Sequence, residues 1–105
     1  MTRLTLNIPG MVDSAALERE LVTALADRLR DERGCRLATS ADAVEVASSD
    51  EHVYQLTPAG SIVVERRPEE LVVQLRGVDV DAQDLFIGVS SQLEQRHDGL
   101  GVEIG

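Results

Sequence analysis

His52 and Tyr54 are the residues whose types and spacing come closest to an acid–base pair. They lie two residues apart in a segment that reads as a strand, so their side chains share one face. Imidazole acts as a general base in many enzymes, and a phenol can donate a proton. The sequence ties no nucleophile to them, however, and a place on the solvent-facing side or the rim of a sheet explains both. We therefore predict no catalytic residue.

Arg66 and Arg67 form the only arginine doublet of the chain, and they come just before a turn at Pro68. Guanidinium groups bind carboxylates and phosphates through paired hydrogen bonds, so an anionic ligand or partner is one interpretation. Acidic residues at positions 65, 69 and 70 favour another. In that alternative this is a solvated hairpin end with mixed ion pairs, each worth less than about 1 kcal/mol.

The ligand-binding hypothesis rests on polar residues of two neighbouring predicted strands: His52, Tyr54, Glu65 and Arg66. They are the clustered polar strand residues that can converge, and we place their pocket between the second helix and the sheet. The chain would then be a small-ligand-binding protein or a small enzyme. This is the alternative to the interaction function described below.

Metal and redox candidates are few. Cys35 is the single cysteine, which excludes an internal disulfide and fits a reducing, cytoplasmic setting. His97 is expected in the last turn of a helix, where the helix dipole favours a protonated imidazole. Asp79, Asp81 and Asp84 have the spacing of calcium ligands but lack the glycine turn and the bidentate glutamate of a calcium loop. We predict no metal and no cofactor.

The charge of the chain narrows its partners. The formal net charge is −9, whereas binding to nucleic acid or to an anionic membrane needs a cationic surface. With one Phe, one Tyr and no Trp, the chain also lacks platforms for stacking bases. All ten basic residues are Arg, which indicates a source with high G+C coding or adaptation to high salt.

Two segments have the periodicity of amphipathic helices, Ser14–Arg33 and Asp81–His97. Asp13 or Ser14 can cap the first, and Gly34 stands where a helix often ends. Gly88 lies inside the second, and we expect it to allow close packing on the sheet. The buried stripes are predicted to contain Leu17, Leu21, Val22, Leu25, Leu29, Leu85, Phe86, Val89 and Leu93.

Alternating apolar residues between turn signals predict seven strands. These are Arg3–Ile8, Arg36–Thr39, Ala43–Ala47, His52–Thr57, Ser61–Arg66, Glu70–Arg76 and Leu100–Ile104. The element order is therefore β-α-β-β-β-β-β-α-β. We predict a single α+β domain over residues 1–105, with both helices on one face of a mostly antiparallel sheet. The outer frame resembles a split β-α-β arrangement, so we expect an elaborated ferredoxin-like sandwich.

Helices on one face leave the other face of the sheet free, and this favours a function in protein interaction. We predict a small acidic, cytoplasmic, non-catalytic module that binds a protein partner or a second copy of itself through a sheet face or an edge strand. Tyr54, Val63 and Val72 are the predicted interface residues, because scattered apolar residues on such a face often form interfaces.

Overall fold

The computed structural model describes residues 2–10, 12–37, 45–46, 51–57, 59–78 and 80–105, and in them the chain forms two helices and seven strands. The elements are β1 (Arg3–Asn7), α1 (Ser14–Arg33), β2 (Arg36–Leu37), β3 (Glu45–Val46), β4 (Glu51–Thr57), β5 (Ser61–Arg67), β6 (Glu70–Arg76), α2 (Ala82–Arg96) and β7 (Gly101–Ile104). The α+β class and the element order are confirmed. None of the described helices is both long enough and apolar enough to cross a membrane.

The sheet is antiparallel at every described pairing, and its strands follow the order β2-β4-β5-β6-β1-β7. β3 also pairs with β4. Arg36 of β2 pairs with Thr57, near the end of β4, whereas Val46 of β3 pairs with His52, near its start. Two short strands therefore cover one outer edge of the main sheet, and β7 forms the other.

Helix α1 has the bounds that the sequence predicts. The carboxylate of Asp13 accepts a hydrogen bond from the backbone N–H of Ala15 at 3.2 Å, which satisfies one of the free donors at the helix start. Gly34 ends the helix at φ 67°, a left-handed conformation that glycine adopts without steric cost. The predicted stripe from Leu17 to Leu29 is buried.

Helix α2 begins after Asp81, whose carboxylate accepts from the backbone N–H groups of Gln83 and Asp84. The expectation that Gly88 packs on the sheet is wrong. A methyl group at Gly88 would lie 2.7 Å from a terminal nitrogen of Arg28, so this glycine marks a close approach to α1.

The core lies between the two helices and one face of the sheet. Its helical residues include Leu21, Leu25, Phe86 and Val89, all fully buried. The strand residues that meet them share one face by register: Leu4, Leu6, Ile62, Val64, Leu71 and Val73. As the composition predicts, nearly all of these side chains are aliphatic.

Some predictions fall on residues outside those described. The predicted strands over residues 36–39 and 43–47 are described only at Arg36–Leu37 and Glu45–Val46. The turn expected at residues 40–42, Pro58 and Asp79 also lie outside the described residues.

Candidate functional site

Glu18 on α1 is a buried carboxylate, with its side chain only 2% exposed. It lies three, four and seven residues before Leu21, Val22 and Leu25, so it belongs to the buried stripe of the helix. A carboxylate in such a place requires donors from the surrounding structure, because burial of an unpaired charge is very costly.

Three side chains of the sheet supply those donors. The Nε of Arg66 donates to Oε1 of Glu18 at 2.8 Å. The Nδ1 of His52 lies 3.0 Å from Oε2, and the hydroxyl of Tyr54 donates to the same oxygen. We call these four residues the Glu18 cluster.

The strand register explains why these side chains meet. His52 and Tyr54 alternate with outward-facing residues on β4, so both point towards the helices. His52 pairs with Val64 of β5, and Arg66 follows two residues later on the same face. The sheet thus presents all three groups to the first half of α1.

Burial and hydrogen bonding act in opposite directions on Glu18. Burial raises the pKa of its carboxyl group, but the hydrogen bonds from Arg66, Tyr54 and His52 outweigh it and hold the pKa below its ordinary value of 4.5. The pKa of Tyr54 is raised, first by burial and then by its hydrogen bond to the Glu18 carboxylate. Glu18 is therefore ionised at neutral pH, and Tyr54 keeps its proton.

The chemistry open to the cluster follows from this bonding. If the Nδ1 of His52 carries the proton it shares with Glu18, Nε2 is left as an acceptor. His52 and Arg66 are 14% and 35% exposed, so both reach the surface. Within the described part of the chain, no buried side-chain nitrogen or oxygen lacks a hydrogen-bond partner. The cluster is thus a saturated network with two exposed members.

The structure brings together three of the four residues of the ligand-binding hypothesis. Glu65 is separate, since it alternates with Arg66 onto the opposite face and pairs with Arg67 at 3.0 Å. The cluster lies against α1, so the prediction of a pocket between the second helix and the sheet is wrong for these residues. Glu18 itself was missed, although its place on the apolar stripe was the available signal.

The three predicted interface residues do not share a face. Tyr54 points into the core, because its register partner Ile62 belongs to the helix-facing side. Val63 and Val72 lie on the other side, which we call the open face, and neighbouring side chains already bury them. A groove of about 130 Å³ there is lined mainly by polar side chains: Glu51, Val63, Glu65, Val72, Gln74 and Arg76.

The outer edge of β7, which we call the β7 edge, has no strand paired to it in the described chain. Arg3 and Gly105 exchange two backbone hydrogen bonds, at 2.7 and 3.0 Å. In an antiparallel ladder such pairs alternate with pairs that do not bond each other. Residues 101, 103 and 105 therefore bond to β1, whereas Val102 and Ile104 direct their N–H and C=O groups outwards.

The remaining polar candidates have structural roles. Cys35 is buried in the core, and Asp81 caps α2. The Nε2 of His97 contacts Glu20 of α1, which ties the end of α2 to the first helix. Among the described residues, no group of three or more metal-ligating side chains is close enough to hold an ion.

No family model, curated protein or solved structure matches the chain.

Proposed function

We propose that the chain is a non-catalytic protein-interaction module that accepts an extended strand on the β7 edge. The observation that carries the proposal is the pair of outward-facing backbone units at Val102 and Ile104. Unpaired N–H and C=O groups at a sheet edge bind another strand through main-chain hydrogen bonds.

The contrast between the two ends of the sheet supports this choice. The outer edge of β4 is occupied by β2 and β3, each described over two residues. Very short edge strands are a common protection against unwanted pairing. β7 lacks such cover within the described chain, and neither proline nor lysine occurs in it.

The open face is the weaker docking surface. Val63 and Val72 are already covered there, and polar side chains surround them. Ile87 of α2, the most exposed large hydrophobic residue described at 47%, lies on the helix that packs over β1 and β7.

A short capped peptide that alternates valine and arginine tests the proposal. Its arginines would lie on the open face near Glu103, and its cationic charge suits a chain of net charge −9. We expect added peptide to slow hydrogen exchange at the Val102 and Ile104 amides, while the Glu103 amide, already bonded to β1, changes little.

Two variants of one position provide the matched control. Val102→Pro removes an outward N–H and should abolish the protection of the Ile104 amide by the peptide. Val102→Thr keeps the N–H and a β-branched side chain, so the Ile104 amide should still be protected. Equal protection in both variants, or none in the wild-type chain, would contradict strand addition.

A second candidate function is ligand binding at the Glu18 cluster, and the convergence of His52, Tyr54 and Arg66 on one carboxylate favours it. The exposed guanidinium nitrogens of Arg66 would donate to an anionic group, and the Nε2 of His52 would accept from a protonated oxygen of the same group. Inorganic phosphate is a suitable probe, with Arg67→Gln as a neighbouring control. If a folded His52→Ala, Arg66→Ala double variant binds phosphate with the wild-type affinity, this candidate function is wrong.

We also infer that the topology is an elaborated ferredoxin-like sandwich. The order β7-β1-β6-β5 and the two helical crossovers support a split β-α-β frame, with β2, β3 and β4 added between α1 and β5. The single buried thiol of Cys35 supports a reducing, cytoplasmic setting.

A further inference from the structure

We infer that the strand accepted by the β7 edge is β7 of a second copy, paired about a two-fold axis at Val102. This inference rests on the proposed function and names its partner. A two-fold axis perpendicular to the sheet makes the two neighbouring strands antiparallel, which continues the pairing seen throughout the sheet.

The backbone of β7 is complementary to itself in this register. Val102 would exchange two hydrogen bonds with Val102 of the other copy, because its N–H and C=O both point outwards. Ile104 would face Leu100, whose N–H already donates to the carbonyl of His97, so the axial pair at Val102 would carry most of the hydrogen bonding. Val102 and Ile104 also share the helix-facing side with Leu4 and Leu6, so the aliphatic layer would continue across the axis.

Charge distinguishes this register from its nearest competitor. An axis at Glu103 would place two glutamates directly opposite each other, and like charges in that position destabilise a sheet. With the axis at Val102, Glu103 faces Gly101, which has no side chain. The Val102 register therefore keeps the hydrogen bonds and separates the acidic groups.

Net charge makes the association depend on salt. Each copy carries a formal charge of −9, so long-range repulsion opposes pairing. The screening length falls from about 10 Å at 0.1 M salt to about 3 Å at 1 M. We therefore expect a dimer that is weak at low salt and strengthens as sodium chloride is added.

Sedimentation equilibrium of the full chain tests the inference. The wild-type chain should dimerise in a concentration-dependent way at 1 M sodium chloride. Val102→Pro should weaken dimerisation at least about tenfold through the loss of axial hydrogen bonds, whereas Val102→Thr should retain it. If Val102→Pro does not fold, Ile104→Pro removes a flanking outward N–H and is expected to weaken dimerisation in the same way. A strict monomer at about 0.1 M and at 1 M sodium chloride overturns self-pairing. Equal association of Val102→Pro and Val102→Thr overturns it as well.

Mixing experiments test the register. In the Val102 register, wild-type chains and Glu103→Arg chains should mix statistically, because residue 103 faces a glycine. In the Glu103 register, opposite charges would meet only in the mixed dimer, so the mixed species would dominate. Such dominance, measured by native mass spectrometry of isotope-labelled mixtures, overturns the axis at Val102.

The two proposals fail separately. A monomeric wild-type chain that still protects Val102 and Ile104 when the valine–arginine peptide is added loses self-pairing but keeps strand addition. If the wild-type chain is monomeric and the peptide does not protect Val102 and Ile104, both proposals are wrong.

Discussion

Arg66 on β5 donates from Nε to Oε1 of Glu18 on α1 at 2.8 Å, and this bond joins the sheet to the first helix through a buried charge. Glu18 is almost fully enclosed, while the Arg66 side chain is 35% exposed. In this ion pair the carboxylate of Glu18 is buried in the core, whereas the guanidinium group of Arg66 is accessible to solvent. Removal of the carboxylate should cost more than removal of a surface acid.

We predict that Glu18→Gln lowers the free energy of unfolding by about 1–3 kcal/mol. A carboxylate accepts at both oxygens, but an amide accepts at only one, so its NH₂ would face a donor from the sheet. Chemical denaturation at pH 7 measures the change. Glu32→Gln on the exposed side of the same helix should stay within about 0.5 kcal/mol of wild type, and an equal loss in both variants would contradict the argument.

The hydrogen bond from Tyr54 to Glu18 predicts a pH dependence. The pKa of Glu18 is lowered in the folded state, so the stability from its ionised form is complete above the ordinary value of 4.5. That stability is lost as the pH falls through the folded-state pKa. Tyr54→Phe removes one lowering contact and moves the folded-state pKa of Glu18 upwards, so the acid loss of stability should be smaller and should be complete at a higher pH.

Urea unfolding of wild type and Tyr54→Phe at about pH 7, 5 and 3 measures this effect. The stability difference between the two should be largest near neutrality and should narrow in acid. In a Glu18→Gln background the same tyrosine change should give a difference that does not vary with pH. A constant difference in the wild-type background would refute the linkage.

Gly60 should not tolerate a side chain. Its φ is +99°, and an added methyl group would lie 3.0 Å from the backbone oxygen of Arg76 and 3.1 Å from that of Gly77. We predict that Gly60→Ala lowers the free energy of unfolding by about 1–3 kcal/mol through backbone strain and crowding. Gly10→Ala is the control, because nothing lies within 4 Å of its added methyl group; a similar melting temperature for both variants would contradict this account.

Glu69 is the described non-glycine residue with a left-handed conformation, at φ 70° in the turn between β5 and β6. Such a conformation costs a side-chain-bearing residue roughly 1–2 kcal/mol. Glu69→Gly should therefore raise the free energy of unfolding, by about 0.5–1 kcal/mol after the added flexibility of the unfolded chain is subtracted. Glu70→Gly, one residue into β6, should lower it, and thermal melts of the two variants should move in opposite directions.

Local periodicity was enough to predict most elements. The bounds of α1 and of β6 agree with the predicted Ser14–Arg33 and Glu70–Arg76. Both segments have complete apolar repeats and clear ending signals, such as Gly34. Local periodicity does not predict the order of the strands in the sheet, because β1 pairs with both β6 and β7, which are far from it in the chain.

The site was predicted only in part, because register depends on how strands pair. Tyr54 pairs with Ile62, so even-numbered residues of β4 and β5 share the helix-facing side. Tyr54 and Val63 therefore lie on opposite faces of the sheet, whereas His52 and Arg66 share the helix-facing side. This register can be predicted only when the length of the turn between β4 and β5 is known. Glu18 was missed, although its spacing from Leu21 and Val22 places it on the buried stripe of α1.

The unequal protection of the two sheet edges limits how large an assembly can grow. A sheet with two open edges can add copies at both sides and extend into a fibre. Here β2 and β3 occupy one side of the main sheet, and self-pairing uses β7 on the other side. Pairing between two such chains uses up both β7 edges, so growth by this route would stop at two copies, even at high protein concentration.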